Sequence, residues 1–281
     1  MAGRRVVWAV ALALVAAVAA AGCGGGGSSA ATPDSLREKG KLVVATKFDQ
    51  PLFGQRNPST GAIEGFDVEI AKIIARKLFG NDITGKIEFV ETPSKIRETA
   101  IENGRVDLVV ATYTINDTRK EQVAFAGPYY VAGQDIMVRK DENDIKSVTD
   151  LNGRKVCSVQ GSTSIDNVRE QAPRADLSTS FDLYSLCAEA LGDKRVDAVT
   201  TDNTILVGLI QQSGGAYKLV GKTFTTEPYG IGMKKDANDL RTFVNDTLEE
   251  AYANGEWKRA FESTVGKAGI PTPTPPPVDR Y

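Results

Sequence analysis

Thr112 and Thr114 flank Tyr113 at the end of an apolar run, and Arg119 follows shortly after. Alternate side chains of an extended segment share a face, so both hydroxyls can reach one guest while Tyr113 points away. An arginine fork pairs bidentately with a planar carboxylate and does not titrate away, although a surface salt bridge is the plainer use of Arg119. Gly161-Ser162-Thr163 precedes a helix-period segment, and the free N–H groups of a helix start favour an anion. Asp202 closes a second apolar run. A carboxylate at that edge needs a cation such as an ammonium, or else it caps the helix expected over residues 203–211. These groups suit the capture of a small charged molecule. The chain has no histidine, which removes Ser-His-Asp and Cys-His nucleophiles, an imidazole base and every histidine-containing zinc site.

The elements that must hold these residues alternate between strand length and helix period, which argues an α/β architecture. Residues 41–46, 86–91 and 105–112 read as strands. Gly65-Phe66-Asp67 opens a helix with Ile70, Ile73, Ile74 and Leu78 on one face and Asp67 as its expected N-cap. The order then repeats, with strands at 155–159 and 195–202 and helices after Thr163 and over 183–191. Arg105-Val106-Asp107 matches Arg195-Val196-Asp197, and Val109 matches Val199. Buried strands resemble one another, so the match is short evidence. It nevertheless sets Thr112 and Asp202 at equivalent carboxyl ends of two strands, the edge where ligands bind in open α/β sheets. Two such edges face to face make a cleft. Crossings between the halves are expected at 127–131 and 227–230, where Gly and Pro punctuate the chain, and they imply a hinge. Helices over 239–261 should pack back on the first half, and the Pro-Thr tail over 271–277 should be extended and solvated.

At 281 residues, 41% hydrophobic and 25% charged, the chain can bury two compact units. A net charge of −2 leaves no basic field for nucleic acid. Arg4 and Arg5, the apolar run 6–21 and Gly22-Cys23 read as an export signal, too short for the roughly 20 residues that span a bilayer. Ala20-Ala21-Gly22-Cys23 resembles a lipobox, although Ala20 stands where Leu is usual, so Cys23 is the expected lipidation site; the alternative is an ordinary signal peptide. The Gly- and Ser-rich stretch after it is a tether. The expected division is 1–22 signal, 23–35 lipid-anchored tether, 36–130 first lobe, 131–227 second lobe, 228–268 return to the first lobe, and 269–281 tail. Outside the cytoplasm, Cys157 and Cys187 are expected to be bridged, the alternative being two separately buried thiols.

Residues 111–119 (ATYTINDTR), 123–130 (VAFAGPYY), 65–71 (GFDVEIA) and 159–163 (VQGST) resemble the family 3 extracellular solute-binding proteins, the polar amino-acid receptors of ABC transporters. Residues 46–51 (TKFDQP) and the placement of Cys157 and Cys187 look most like the glutamate-binding lipoproteins of actinobacteria. The resemblance implies a type II periplasmic-binding-protein-like fold, two lobes with a ligand cleft and two hinge crossings. It implies that Thr112, Thr114, Arg119, Gly161 and Thr163 surround the guest and that Asp202 binds its amino group. It assigns side-chain selectivity to Lys47, Ser94 and Arg97, with Gln50 and Gln160 as lesser candidates. Counting Arg119, Arg97 and Lys47 against Asp202 favours a dicarboxylic amino acid, L-glutamate first and aspartate or glutamine as alternatives. The implied partners are a membrane permease and its separate ATPase, for a monomeric receptor tethered to the outer face of the membrane. No cofactor, metal or catalytic residue is expected.

A dehydratase-like enzyme or a sensor lobe on the same fold is the rival reading, but no general acid besides Asp202 is in view. Gly221-Lys222-Thr223 lacks the earlier glycine of a phosphate loop, and Asp141 to Asp144 lack the spacing of a calcium loop.

Overall fold

The computed structural model describes residues 30–281; the expected export signal, Cys23 and residues 24–29 of the tether lie outside the described residues. Helix α1 (Pro33–Lys39), begun by a capping box at Thr32, leads into β1 (Leu42–Thr46). A small sheet of β2 (Asp49–Gln50), β3 (Gly54–Arg56) and β4 (Ile63–Glu64) follows. Helix α2 (Phe66–Phe79) buries Ile70, Ile73, Ile74 and Leu78, the face its spacing predicts. Next come β5 (Ile87–Glu91), α3 (Arg97–Glu102), β6 (Leu108–Thr114), α4 (Asp117–Gln122) and β7 (Val123–Ala132).

The second lobe holds β8 (Gln134–Arg139), β9 (Val156–Cys157), α5 (Thr163–Gln171), α6 (Tyr184–Gly192), β10 (Ala198–Asp202), α7 (Asn203–Gln212) and β11 (Tyr217–Leu219). The chain returns through β12 (Glu227–Lys234) to α8 (Asn238–Ala253) and α9 (Glu256–Glu262), which pack on the first lobe.

One sheet has the order β5-β1-β6-β12-β7 and the other β11-β8-β10-β9. Strand β1 runs parallel to β5 and β6, and β10 runs parallel to β9. The repeated Arg-Val-Asp has a physical cause. Asp107 Oδ2 accepts the Val43 N–H at 2.8 Å, and Asp197 Oδ2 accepts the Lys155 N–H at 2.9 Å, so each aspartate ties its own strand to the start of the preceding parallel one. Val109 pairs with Ala45 and Val199 with Cys157, which puts Thr112 and Asp202 at matching depth in the two sheets. Cys157 and Cys187 form a disulfide that joins β9 to α6.

One local expectation is corrected. Asp67 is not an N-cap: Gly65 holds that position, and Asp67 turns inward, fully buried, to accept the Thr112 N–H at 2.9 Å and the Tyr129 hydroxyl at 2.6 Å. The Pro-Thr tail over 271–277 is extended and largely exposed, as expected, and the four residues after it are docked. Val278 packs on the core of the first lobe, the Asp279 N–H donates to Gly127 O at 2.8 Å, and the Tyr281 hydroxyl accepts the Phe125 N–H at 2.8 Å. Strand β7 is the edge of its sheet, and its free backbone groups need such partners. The residues 127–131 lie within β7 and 227–230 within β12, so the chain leaves the first sheet after Ala132 and rejoins it at Glu227.

Candidate functional site

Strand ends and helix starts from both lobes meet around one small, tightly closed cavity, lined by Ser94, Arg97, Thr112, Thr114, Arg119, Thr163 and Asp202 among others. Each side chain is placed by its element. Arg119 lies in the first turn of α4, where the Asn116 side chain accepts its N–H at 2.8 Å. Its guanidinium donates to Thr114 O at 2.7 Å and, across the cleft, to Gly161 O at 3.2 Å. Arg97 opens α3 and donates to Ala111 O at 3.1 Å. Both guanidinium groups lie over the Tyr113 ring, at 4.1 Å for Arg97 and 4.8 Å for Arg119, so this ring turned away from the cavity stacks the two cations.

Thr112 adopts a left-handed backbone, φ 45°, which a β-branched residue rarely tolerates. Asp67 on its N–H and Gln50 Oε1 on its hydroxyl, at 2.9 Å each, hold it there. On the opposite side Ser162 caps α5, leaving the first N–H groups of that helix facing the cavity. Asp202 stands at the N-cap position of α7 but makes no side-chain cap bond. Its Oδ2 accepts the Tyr229 hydroxyl at 2.5 Å, and its Oδ1 has no partner. Burial, and next the nearby Glu227, push its carboxyl up to about 7.

Lys47 is buried behind the lining: its Nζ donates to Ser94 Oγ at 2.9 Å, and Ser94 meets the cavity. Burial, and next the Arg97 charge, bring its ammonium down to about 7, with Asp49 opposing. Gly161 contributes its carbonyl to Arg119 and is not itself lining. Gln50 reaches the cavity, whereas Gln160 bonds Ser180 outside it.

Glu227 and Glu98 are the site residues that sequence reasoning missed. Glu227 Oε2 accepts the hydroxyls of Thr114 at 2.7 Å and Thr163 at 3.0 Å, so it joins the lobes. Glu98 Oε1 accepts the Tyr113 hydroxyl at 2.6 Å and lies 3.5 Å from Arg119 Nε. The three cations therefore face more than the single carboxylate counted from sequence. Glu98, one residue after Arg97, was a findable signal; Glu227 was hidden in the expected crossing.

The lobes are closed on each other. Gly161 has φ 74°, and a Cβ there would lie 2.6 Å from the Lys95 backbone of the other lobe. Gly208 lies inside α7, and its Cβ would lie 2.6 Å from Pro51 O. Alanine favours a helix over glycine by about 1 kcal/mol. Gly208→Ala is therefore expected to keep or raise the thermal midpoint of the ligand-free protein while weakening ligand binding by about tenfold, because only the closed form meets the clash. A melt and a calorimetric titration check this; unchanged affinity would mean that closure does not bring α7 onto Pro51.

Residues 42–267 match the bacterial extracellular solute-binding proteins, family 3. The chain is 42% identical over 243 residues to the glutamate-binding protein GluB of Corynebacterium glutamicum, covering 83% of this chain and 81% of that protein. It is 41% identical over 232 residues to the ABC transporter glutamine-binding protein GlnH of Bacillus subtilis, covering 82% and 83%. Among solved structures, an ancestral arginine-binding protein bound to arginine superposes with a TM-score of 0.75 at 38% identity, over 80% of this chain and 98% of that one.

Proposed function

We propose, from the premise that this chain belongs to the family 3 bacterial extracellular solute-binding proteins, that its cleft selects an acidic amino acid, L-glutamate first. The chain is an exported amino-acid-binding protein of an ABC transporter, delivering to a permease, and not an enzyme. The carrying observation is one of unmatched charge. Among the described residues, neither Lys47 nor Arg97 makes a salt bridge, and the Arg97 Nε is buried without a partner. The nearby carboxylates are already engaged: Asp67 by Tyr129 and Thr112, Glu98 by Tyr113, Glu227 by threonines, and Asp49, whose charge opposes the lowering of Lys47, by the Ser185 N–H. A second carboxylate on the guest would satisfy Arg97 directly and Lys47 through Ser94.

In this reading Arg119 and the start of α5 at Thr163 hold the α-carboxylate, with the Gly161 carbonyl positioning Arg119. Asp202, with Oδ1 free, and the Thr112 and Thr114 oxygens receive the α-ammonium. Cys23 is read as the lipid anchor, supported by Arg4, Arg5, the apolar run 6–21 and the small residues before it; the mass of the membrane-extracted protein tests it.

The test is calorimetric titration of refolded protein with glutamate, aspartate, glutamine, asparagine and arginine. Glutamate is expected to bind at micromolar strength or tighter. Lys47→Ala and Arg97→Ala are each expected to weaken glutamate by about thirtyfold or more while changing glutamine little. Preference for glutamine or arginine in the wild type would overturn the acidic reading.

A further inference from the structure

Strand β2 has only two residues, and they serve opposite sides. Successive side chains of a strand point to opposite faces. Gln50 turns into the cavity, where its Oε1 accepts the Thr112 hydroxyl at 2.9 Å. Asp49 turns out of the cavity toward the other lobe, where its Oδ2 accepts the Ser185 N–H at 3.3 Å.

Ser185 is the second residue of α6, and the N-cap of that helix, Leu183, offers no side-chain acceptor. The first N–H groups of a helix lack partners within it, and a carboxylate placed there both accepts them and meets the positive end of the dipole. The missing cap of α6 is therefore supplied by the opposite lobe. Beside it, Lys95 Nζ meets Asp182 Oδ2 at 2.8 Å, a second bond between lobes at the same helix end, half-exposed and correspondingly weak. Helix α6 is also tied to the site: the Cys157–Cys187 disulfide joins it to β9, from which the chain runs on to the Gly161 turn. A bond at the α6 start thus acts on the same body that carries the anion-facing end of α5.

We propose that Asp49 is the closure latch of the cleft: a positioning residue that touches no ligand, completes α6 only when the lobes are together, and so sets the rate of ligand release. Burial pushes its carboxyl up and Lys47 pulls it down, so its charge also acts on Lys47. The test separates those two roles. The inference rests on amino-acid capture by closure and not on glutamate being the guest, so release is measured by stopped flow for whichever amino acid of the titration panel binds best. A panel in which another amino acid wins overturns the glutamate reading and leaves this test intact.

Asp49→Ala is expected to release ligand about tenfold faster, with the association rate within about twofold of wild type. Asp49→Asn keeps an acceptor oxygen at the cap and loses the charge, and is expected to stay within about threefold of wild type. The ligand-free thermal midpoint should be unchanged in both. Wild-type release from Asp49→Ala would overturn the latch. Equally fast release from Asp49→Asn and Asp49→Ala would also overturn it, because the charge beside Lys47 would then be responsible rather than the cap.

Discussion

Arg119→Ala is expected to weaken amino-acid binding by about a thousandfold, the largest effect of any single substitution in the cleft. Its guanidinium holds the Thr114 carbonyl in its own lobe and the Gly161 carbonyl in the other, and it lies against Tyr113. Losing it removes the proposed fork for the α-carboxylate, a bond that holds the closed form, and the cation beside Glu98. Arg119→Lys should recover little, since a point charge cannot replace a planar fork with two partners already taken. Calorimetric titration checks both variants, with circular dichroism confirming the fold. Affinity within about tenfold of wild type in Arg119→Ala would assign the carboxylate to the start of α5 alone.

Asp202→Asn is expected to weaken binding by about a hundredfold, because it keeps the shape and the Tyr229 contact but not the charge that meets an ammonium. The pH dependence carries a sign. The carboxyl titrates near 7, raised by burial and by Glu227 and opposed by Tyr229, Arg119 and Arg97. A raised carboxyl stabilises the ligand-free fold when protonated, and that contribution is lost as the pH rises through about 7. Binding works the other way: the ammonium needs the ionised form. Wild-type affinity should fall as the pH drops from about 8 to about 5.5, and Asp202→Asn should lack most of that fall. An equal fall in both would place the titrating group elsewhere, with Asp67, pushed up to about 6 by burial, as the next site to vary.

The frame of the molecule was legible because it follows from period and repetition. The Ile70, Ile73, Ile74 and Leu78 stripe is a helix face, and the doubled Arg-Val-Asp marks strands whose aspartates bond the preceding strand in the same way. The cleft residues were legible as types at strand ends and helix starts. What stayed hidden depends on contacts distant in sequence. Asp67 two residues after a glycine looks like a cap, and only the fold shows Thr112 and Tyr129 competing for it. Glu227 meets Thr114 through the pairing of β12 with β6 and Thr163 only through closure, and the left-handed Thr112 has no local mark. The residues after the Pro-Thr run carry no core pattern, and only the fold shows that the unpaired edge of β7 gives them a seat.

Arg119, Asp202 and the Ser94–Arg97 corner line one cavity, and in the proposed reading a guest meets them as three fixed points of different chemistry. Three unlike anchors give the cleft a handedness. A mirror-image amino acid can satisfy two of them at once, but its side chain then points where the α-hydrogen should be. On that proposal, closure is a reading of chirality as well as of charge.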